Sequence, residues 1–297
     1  MTRALFVNSG MAGHRTFARL MKQVVGHIPG IDAQHIDLSR DLTTADRVIR
    51  RLLSLSLTPR TGPVANLDLR RWREELNVGW LAARRIAQAE RRATFDVLHF
   101  YTQPAAYASV ALMKQVPAIV CLDCTQRLAS LEVESRLGRA SYYANIVHDG
   151  RVFRAASAIV ATSDWAARDL AELYPDCASK VRVLPCPVDV DAFSADWIGE
   201  RAARADADGY RPRVLFIGGD FPRKGGPDLL EAWREGKFAD RATLDLVTDW
   251  PLSRETLPPG VNLIGGIAPY SDRWRDLWRC ADGFVMPARH EAFGIVY

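Results

Sequence analysis

The stretch from Val214 to Leu230 holds the densest group of residues suited to chemistry. An apolar run, Val214-Leu215-Phe216-Ile217, gives way to Gly218-Gly219-Asp220-Phe221-Pro222-Arg223-Lys224-Gly225-Gly226 and then to a helical pattern from Pro227 onward. A glycine-rich turn between a buried strand and a helix gathers backbone N–H groups and the positive end of the helix dipole at one spot. Arg223 and Lys224 add formal charge beside it, so a diphosphate is the anion this segment suits. It is not a Walker A loop, because Lys224 follows Arg223 rather than a glycine and no Ser or Thr comes next to hold magnesium. By itself the segment admits a purely structural turn as readily as a phosphate site.

Other clusters have weaker claims. Cys121 and Cys124 have CxxC spacing, but no second ligand pair accompanies them and Cys121 closes an apolar run typical of a buried strand. Asp189 and Asp191 form a DxD triplet able to share a divalent cation, a triplet that also recurs in surface turns. No metal is expected. Gly10-Met11-Ala12-Gly13 follows a first apolar run and Asp37 ends the second, as in a dinucleotide-binding fingerprint. The third glycine of that fingerprint is missing and Asp37 reads more readily as a turn residue, so an NAD-dependent oxidoreductase is a rival reading only. His99 falls inside a strand and reads as a core or cleft-edge group; His290, beside Glu291, is the better pocket candidate.

The glycine-rich turn becomes specific when read with two further segments. Val183-Leu184-Pro185-Cys186-Pro187-Val188-Asp189-Val190-Asp191-Ala192-Phe193 resembles the segment that leaves the first domain in family 4 of the retaining glycosyltransferases. Met286-Pro287-Ala288-Arg289-His290-Glu291-Ala292-Phe293-Gly294-Ile295-Val296 is similar to that family's donor-sugar loop. Ser163 to Ala166 and Leu122 to Thr125 also resemble segments found in a subset of its members. The resemblance implies two facing Rossmann-like domains (the GT-B fold), a nucleotide diphosphate sugar as co-substrate held mainly by the second domain, and an acceptor held mainly by the first. It implies transfer with retention at the anomeric carbon and no metal or other cofactor. Lys224 would contact the diphosphate with Arg223 and the turn around Gly225. Glu291 would accept hydrogen bonds from sugar hydroxyls, with His290 and the backbone of Phe293, Gly294 and Ile295 lining the same pocket. Gly13 would face the diphosphate from the first domain. Asp123 stands where many members carry a histidine at the end of a first-domain strand, and is the catalytic candidate on that side. The chain departs from the family in placing Gly219-Asp220 where an arginine often follows the glycine, and Cys186-Pro187 where Asn-Gly is usual. The second glutamate of the E-x7-E motif would fall beyond Tyr297, so the second domain is expected to be incomplete. An inactive fragment or non-catalytic binding protein of the same fold is therefore the alternative from a different class.

The elements that must position these residues alternate in the manner of an α/β protein: short runs rich in Val, Ile, Leu and Phe are separated by longer amphipathic stretches. Strands are expected at Ala4 to Asn8, Ile31 to Asp37, Val97 to Tyr101, Ala118 to Leu122, Ala158 to Ala161 and Val181 to Leu184. A second series falls at Arg213 to Ile217, Thr243 to Val247, Val261 to Ile264 and Gly283 to Met286, with helices at Pro227 to Trp233 and Ser271 to Cys280. The domains read as 1–188, a linker or surface helix over 189–212, and a partial domain over 213–297. Asp68 to Ala93 predicts a long amphipathic helix, with Leu69, Trp72, Leu76, Trp80, Ala83 and Ala87 inward and an arginine face outward that is solvated or docked on anionic lipid headgroups. A length of 297 residues with 48% apolar residues suffices for two cores, and a net charge of +4 gives no nucleic-acid footprint. The five dispersed cysteines argue against a disulfide framework and, with no signal-peptide pattern at the start, point to a cytoplasmic setting, with peripheral contact at the inner membrane face admitted. Acceptor choice, whether sugar, lipid or small molecule, would fall to the loops Tyr101 to Tyr107 and Thr125 to Ser130.

Overall fold

The structure, a computed structural model, describes residues 1–10, 14–40, 42–58, 64, 67–133, 135–292 and 294. The chain divides into two compact units, Met1–Pro187 and Val188–Tyr297, each with its own sheet and core. The fold class is α/β with two Rossmann-like domains, the second smaller.

The first unit is built on six parallel strands: β1 (Thr2–Asn8), β2 (Ile31–Asp37), β3 (Val97–Tyr101), β4 (Ala118–Leu122), β5 (Ala158–Ala161) and β6 (Val181–Val183). Their order is β2-β1-β3-β4-β5-β6, so the chain winds outward on both sides of the β1/β3 pair. Parallel strands need crossovers, and helices supply them: α1 (His14–Gly26), α2 (Thr44–Leu53), α3 (Arg70–Glu90), α4 (Val110–Met113), α5 (Gln126–Ser130), α6 (Arg136–Ala140), α7 (Tyr143–Ala155) and α8 (Asp164–Leu173). Helices cover both faces, so the inner strands are buried on each side; Leu5, Leu98, Phe100, Val120, Leu122 and Ile159 lie at the centre. The helix starts follow from local chemistry. Thr43 and Asp46 form a reciprocal capping box at α2, and Thr125 and Ser163 accept first-turn N–H groups at α5 and α8.

The long helix forms as expected, but a different face is buried. Glu75, Gly79, Ala82, Ile86 and Ala89 point inward, whereas Trp80 and Ala87 are exposed. Gly79 sets this rotation: a Cβ there would stand 2.9 Å from both the Pro104 carbonyl oxygen and Tyr107 Cβ, a closeness only glycine permits. The arginines expected to form a free face are instead largely paired, Arg70 with Glu74, Arg71 with Glu75, Arg73 with Asp68 and Arg84 with Asp46.

In the second unit four parallel strands, β7 (Arg213–Ile217), β8 (Thr243–Val247), β9 (Val261–Ile264) and β10 (Gly283–Phe284), run in the order β10-β7-β8-β9. The last strand is shorter than its apolar run; the ladder continues only to Val285, whose N–H donates to the Leu215 carbonyl at 2.9 Å, before Pro287, which has no N–H to give. Phe216, Phe221, Leu229, Trp233, Leu244 and Met286 fill the core between the sheet and α10 (Gly226–Glu235). Part of the 189–212 stretch is helical, α9 (Asp196–Ala205), and joins this unit: Glu200 takes a two-pronged ion pair from Arg279 at the end of α11 (Asp272–Cys280).

Candidate functional site

In open doubly wound sheets, ligands bind outside the carboxyl ends of the strands where the strand order reverses. In the first unit that place is the end of β1 and β3, and an ionisable cluster occupies it. Asp123 directly follows β4, and His14 opens α1. His14 Nε2 lies 3.5 Å from Asp123 Oδ2, while Ser9 Oγ lies 2.6 Å from His14 Nδ1. Below them Tyr101, at the end of β3, stacks on Phe17 with ring centroids 3.7 Å apart and meets the His14 ring edge-on. Burial pushes the Asp123 carboxyl upward, but the hydrogen bond and charge of His14 and the N–H groups of Asp123 and Cys124 overcome it and hold the group below the usual carboxylate range. Asp123 is therefore a fixed carboxylate with a histidine attached. His14 is missing from the sequence reading, since its only signal was adjacency to Gly13 after an apolar strand. Gly13 itself lies outside the described residues.

The segment after Asp123 is held from behind by a buried polar network. Gln103 Nε2 donates to the Cys124 carbonyl at 3.0 Å, the Gln126 N–H donates to Asp149 Oδ2 at 3.1 Å, and Tyr107 donates to Asp149 Oδ1 at 2.8 Å. Gln126 also donates to both oxygens of Glu75 at 2.9 Å. Of the two buried carboxyls, Glu75 is paired with Arg71 at 3.1 Å. Burial first, and then the Glu75 charge, push Asp149 up to about 8, so it keeps its proton at neutral pH. This network fixes the loops that the sequence singles out for acceptor choice.

In the second unit the glycine-rich turn joins β7 to α10. Gly225 is left-handed, with φ at 75°, and a Cβ there would stand 1.8 Å from the Pro287 carbonyl oxygen; the turn thus packs directly on the 286–291 segment. That closeness brings the charges together. Lys224 and Glu291 make a direct ion pair, Arg223 Nη1 donates to the His290 carbonyl at 2.6 Å, and the same nitrogen lies 3.7 Å from Glu291 Oε2. Burial first, and then the charge of Arg223, lower Lys224 to about 8, against the opposing pull of Asp220. The contact with Glu291 is a further pull toward the ammonium. The N–H groups of Gly225 and Gly226 are engaged within the turn, by the carbonyls of Pro222 at 3.1 Å and Phe221 at 2.9 Å. The close approach at Gly225 is made by Pro287, so anion affinity here rests on the two side-chain cations and on the open space above Gly219. His290 has an exposed side chain, and Gly294 is left-handed with φ at 70°. Phe293 and Ile295 lie outside the described residues.

The remaining candidates take on structural roles. Asp37 Oδ1 accepts from the N–H and hydroxyl of Ser39 at 2.9 and 2.6 Å, the turn-residue reading rather than a free ribose ligand. His99 is buried, with Nε2 3.1 Å from Cys121 Sγ, and burial together with the nearby His35 lowers it to about 4, so it is a neutral core group. Burial raises the thiols of Cys121, to about 12, and of Cys124, away from metal-binding or redox reactivity. Asp189 precedes and Asp191 lies within a single turn, Val190–Ala192, in which the Asp189 carbonyl accepts from the Ala192 N–H at 3.2 Å.

The sequence model of glycosyltransferase family 4 matches residues 43–192, half of the chain. The chain belongs to glycosyltransferase family 4. It is a glycosyltransferase of the two-Rossmann type. Among solved structures, this family 4 chain is similar to sucrose-phosphate synthase from Thermosynechococcus elongatus, with a TM-score of 0.68 and 16% identity over 100% of this chain and 78% of that one. Anabaena HepE in complex with UDP-glucose matches with a TM-score of 0.55 and 14% identity over 97% of this chain and 74% of that one. The catalytic domain of starch synthase IV from Arabidopsis thaliana, bound to ADP and acarbose, matches with a TM-score of 0.57 and 11% identity over 98% of this chain and 79% of that one. At these identities the likeness is one of fold. No curated protein sequence matches the chain.

Proposed function

We propose that this family 4 chain transfers a sugar from a nucleotide diphosphate sugar to an acceptor hydroxyl with retention of anomeric configuration. The observation that carries this reading is the convergence of Lys224, Arg223 and Glu291 on the glycine-rich turn. Glu291 pairs with Lys224 and lies near Arg223, which also pairs with Asp220. An arriving diphosphate replaces Glu291 on Lys224 and Arg223, and the released carboxylate is free to accept hydrogen bonds from the sugar hydroxyls; the reading assigns His290 and the backbone of Phe293, Gly294 and Ile295 to the same pocket. As the glycosidic bond to the diphosphate breaks, negative charge grows on the leaving oxygens while the sugar becomes oxocarbenium-like, and two fixed cations in a half-buried site stabilise that change. The reading assigns this work to side chains, with no metal or cofactor. The nucleotide diphosphates bound by HepE and starch synthase IV support this donor class.

The reading gives Gly13, next to His14 in the chain, a role toward the diphosphate and makes the Asp123 carboxylate the polar group for the reacting sugar or for the hydroxyl of the acceptor, which is a sugar, a lipid or a small molecule. His14 is its positioning residue. We place the protein in the cytoplasm, in peripheral contact with the inner membrane face; the cysteine usage supports the compartment. The test is a thermal-shift panel of UDP, GDP, ADP, their sugar conjugates and NAD. Stabilisation by one nucleotide diphosphate and its sugar conjugate is expected; stabilisation by NAD alone would replace the reading with the oxidoreductase one.

A further inference from the structure

The α2 helix is exposed on its apolar side. Its buried side is small: Asp46 is fixed by the Thr43 capping box and by an ion pair to Arg84 of α3, with Ile49 and Leu53 half-buried beside it. Val48 is 51% exposed, Leu52 57% and, just past the helix, Leu55 50% and Leu57 79%. Val48 and Leu52, four apart, share one line on the helix, and Leu55 and Leu57 are exposed just past its end. Arg51 and Arg47 run along one side of that line, with Arg50 farther round the same side. All three are exposed, and none has an acidic partner among the described residues. Trp80 of α3 is 48% exposed, and Arg84, which reaches across to Asp46, lies over its ring at 5.1 Å.

We propose that the α2 line is a docking surface for an anionic phospholipid bilayer. The inference deepens the peripheral-membrane part of the reading above and does not depend on the chemistry at Lys224 or Asp123. The charge pattern selects the partner. Aliphatic side chains without hydrogen-bonding atoms suit the acyl boundary, and the arginines along one side of the line reach the phosphates while their stems stay in apolar surroundings. A protein interface of this size would instead centre on buried aromatic anchors, and the line holds only Val and Leu. Trp80, linked to the helix through Arg84, is an aromatic of the kind that settles at headgroup level. The arginines of α3, by contrast, are mostly engaged with carboxylates.

The test is flotation of the full chain with two kinds of vesicle, phosphatidylcholine alone and phosphatidylcholine with phosphatidylglycerol in equal parts. Wild type is expected to float with the anionic vesicles and not with the neutral ones. Leu52→Glu with Leu55→Glu should weaken partitioning by at least about tenfold, since two apolar groups leave the acyl boundary and two anions enter it. Arg47→Gln with Arg50→Gln and Arg51→Gln should also weaken it and reduce its sensitivity to salt. Leu137→Glu, at a residue equally exposed on α6, should leave it unchanged. The proposal fails if wild type stays with the unbound fraction, if neutral vesicles bind as well as anionic ones, or if both multiple variants float like wild type. It also fails if sedimentation shows a dimer that the Leu52 and Leu55 substitutions abolish while vesicles bind nothing, which would assign the surface to a second copy. Vesicle binding uses no donor sugar, so its failure leaves the glycosyl-transfer reading untouched, and the converse holds.

Discussion

Replacing Lys224 by Met removes a charge while keeping most of the side chain's length. The Lys224 side chain is 14% exposed and its ammonium already sits against a carboxylate, so a phosphate oxygen in the carboxylate's place would be screened only partly by water. A charge-assisted hydrogen bond of this kind contributes about 2 kcal/mol net, which corresponds to roughly 30-fold in Kd. Glu291 would then be left with Arg223 alone at 3.7 Å, and its less compensated charge would repel the diphosphate further, so the 30-fold figure is a lower one. Titration calorimetry with the nucleoside diphosphate found in the thermal-shift panel, and with the matching nucleoside, separates charge from base recognition: the first affinity should fall and the second stay constant. The pH dependence gives an independent check. Burial and Arg223 lower Lys224 to about 8, so the ammonium that binds the diphosphate is present below that pH and lost above it. Wild-type affinity should therefore fall toward that of Lys224→Met as the pH rises one to two units past this value, while the variant stays flat. Equal losses for diphosphate and nucleoside, or a wild-type affinity unchanged through this range, would refute the assignment.

Glu291→Gln should strengthen free nucleoside diphosphate binding, because the competing carboxylate is gone, and weaken binding of the sugar conjugate; calorimetry showing parallel changes would remove Glu291 from the sugar site. His14→Ala leaves the burial of Asp123 opposed only by backbone N–H groups, so the Asp123 carboxyl should titrate at higher pH, which carbon-detected NMR of the side chain can follow. Activity at the acid end of the pH profile should recede with it. Gly225→Ala places a methyl 1.8 Å from the Pro287 carbonyl in a left-handed residue and should cost about 2–4 kcal/mol, against within about 0.5 kcal/mol for Gly219→Ala, where the space is open. Equal unfolding midpoints for the two variants would contradict the packing of the turn on the 286–291 segment.

The sequence alone determines most of the secondary structure, because parallel strands buried on both faces read as continuous apolar runs and their crossovers as amphipathic stretches. β1, β3, β4, β5, β7, β8 and β9 match those runs residue for residue over most of their length. The family was legible for a related reason: Lys224 and Glu291 sit in short contiguous segments whose order along the chain is itself a signal. What the sequence leaves open depends on contacts between distant segments. That Lys224 and Arg223 are matched to Glu291 follows from glycine at 225, where Pro287 comes within a distance no Cβ would allow. His14 gains its role from Asp123, more than a hundred residues away, through the pairing of β1, β3 and β4. The buried side of α3 was set by Gly79 against the Pro104 to Tyr107 turn, which hydropathy periodicity cannot register because glycine carries no side chain to count. Burial of Glu75 and Asp149 was equally invisible, since a carboxyl reads as surface until a network of amides and a tyrosine surrounds it. The same limit governs α2, where only the tertiary structure shows that Val48 and Leu52 face outward while Ile49 and Leu53 are half-buried.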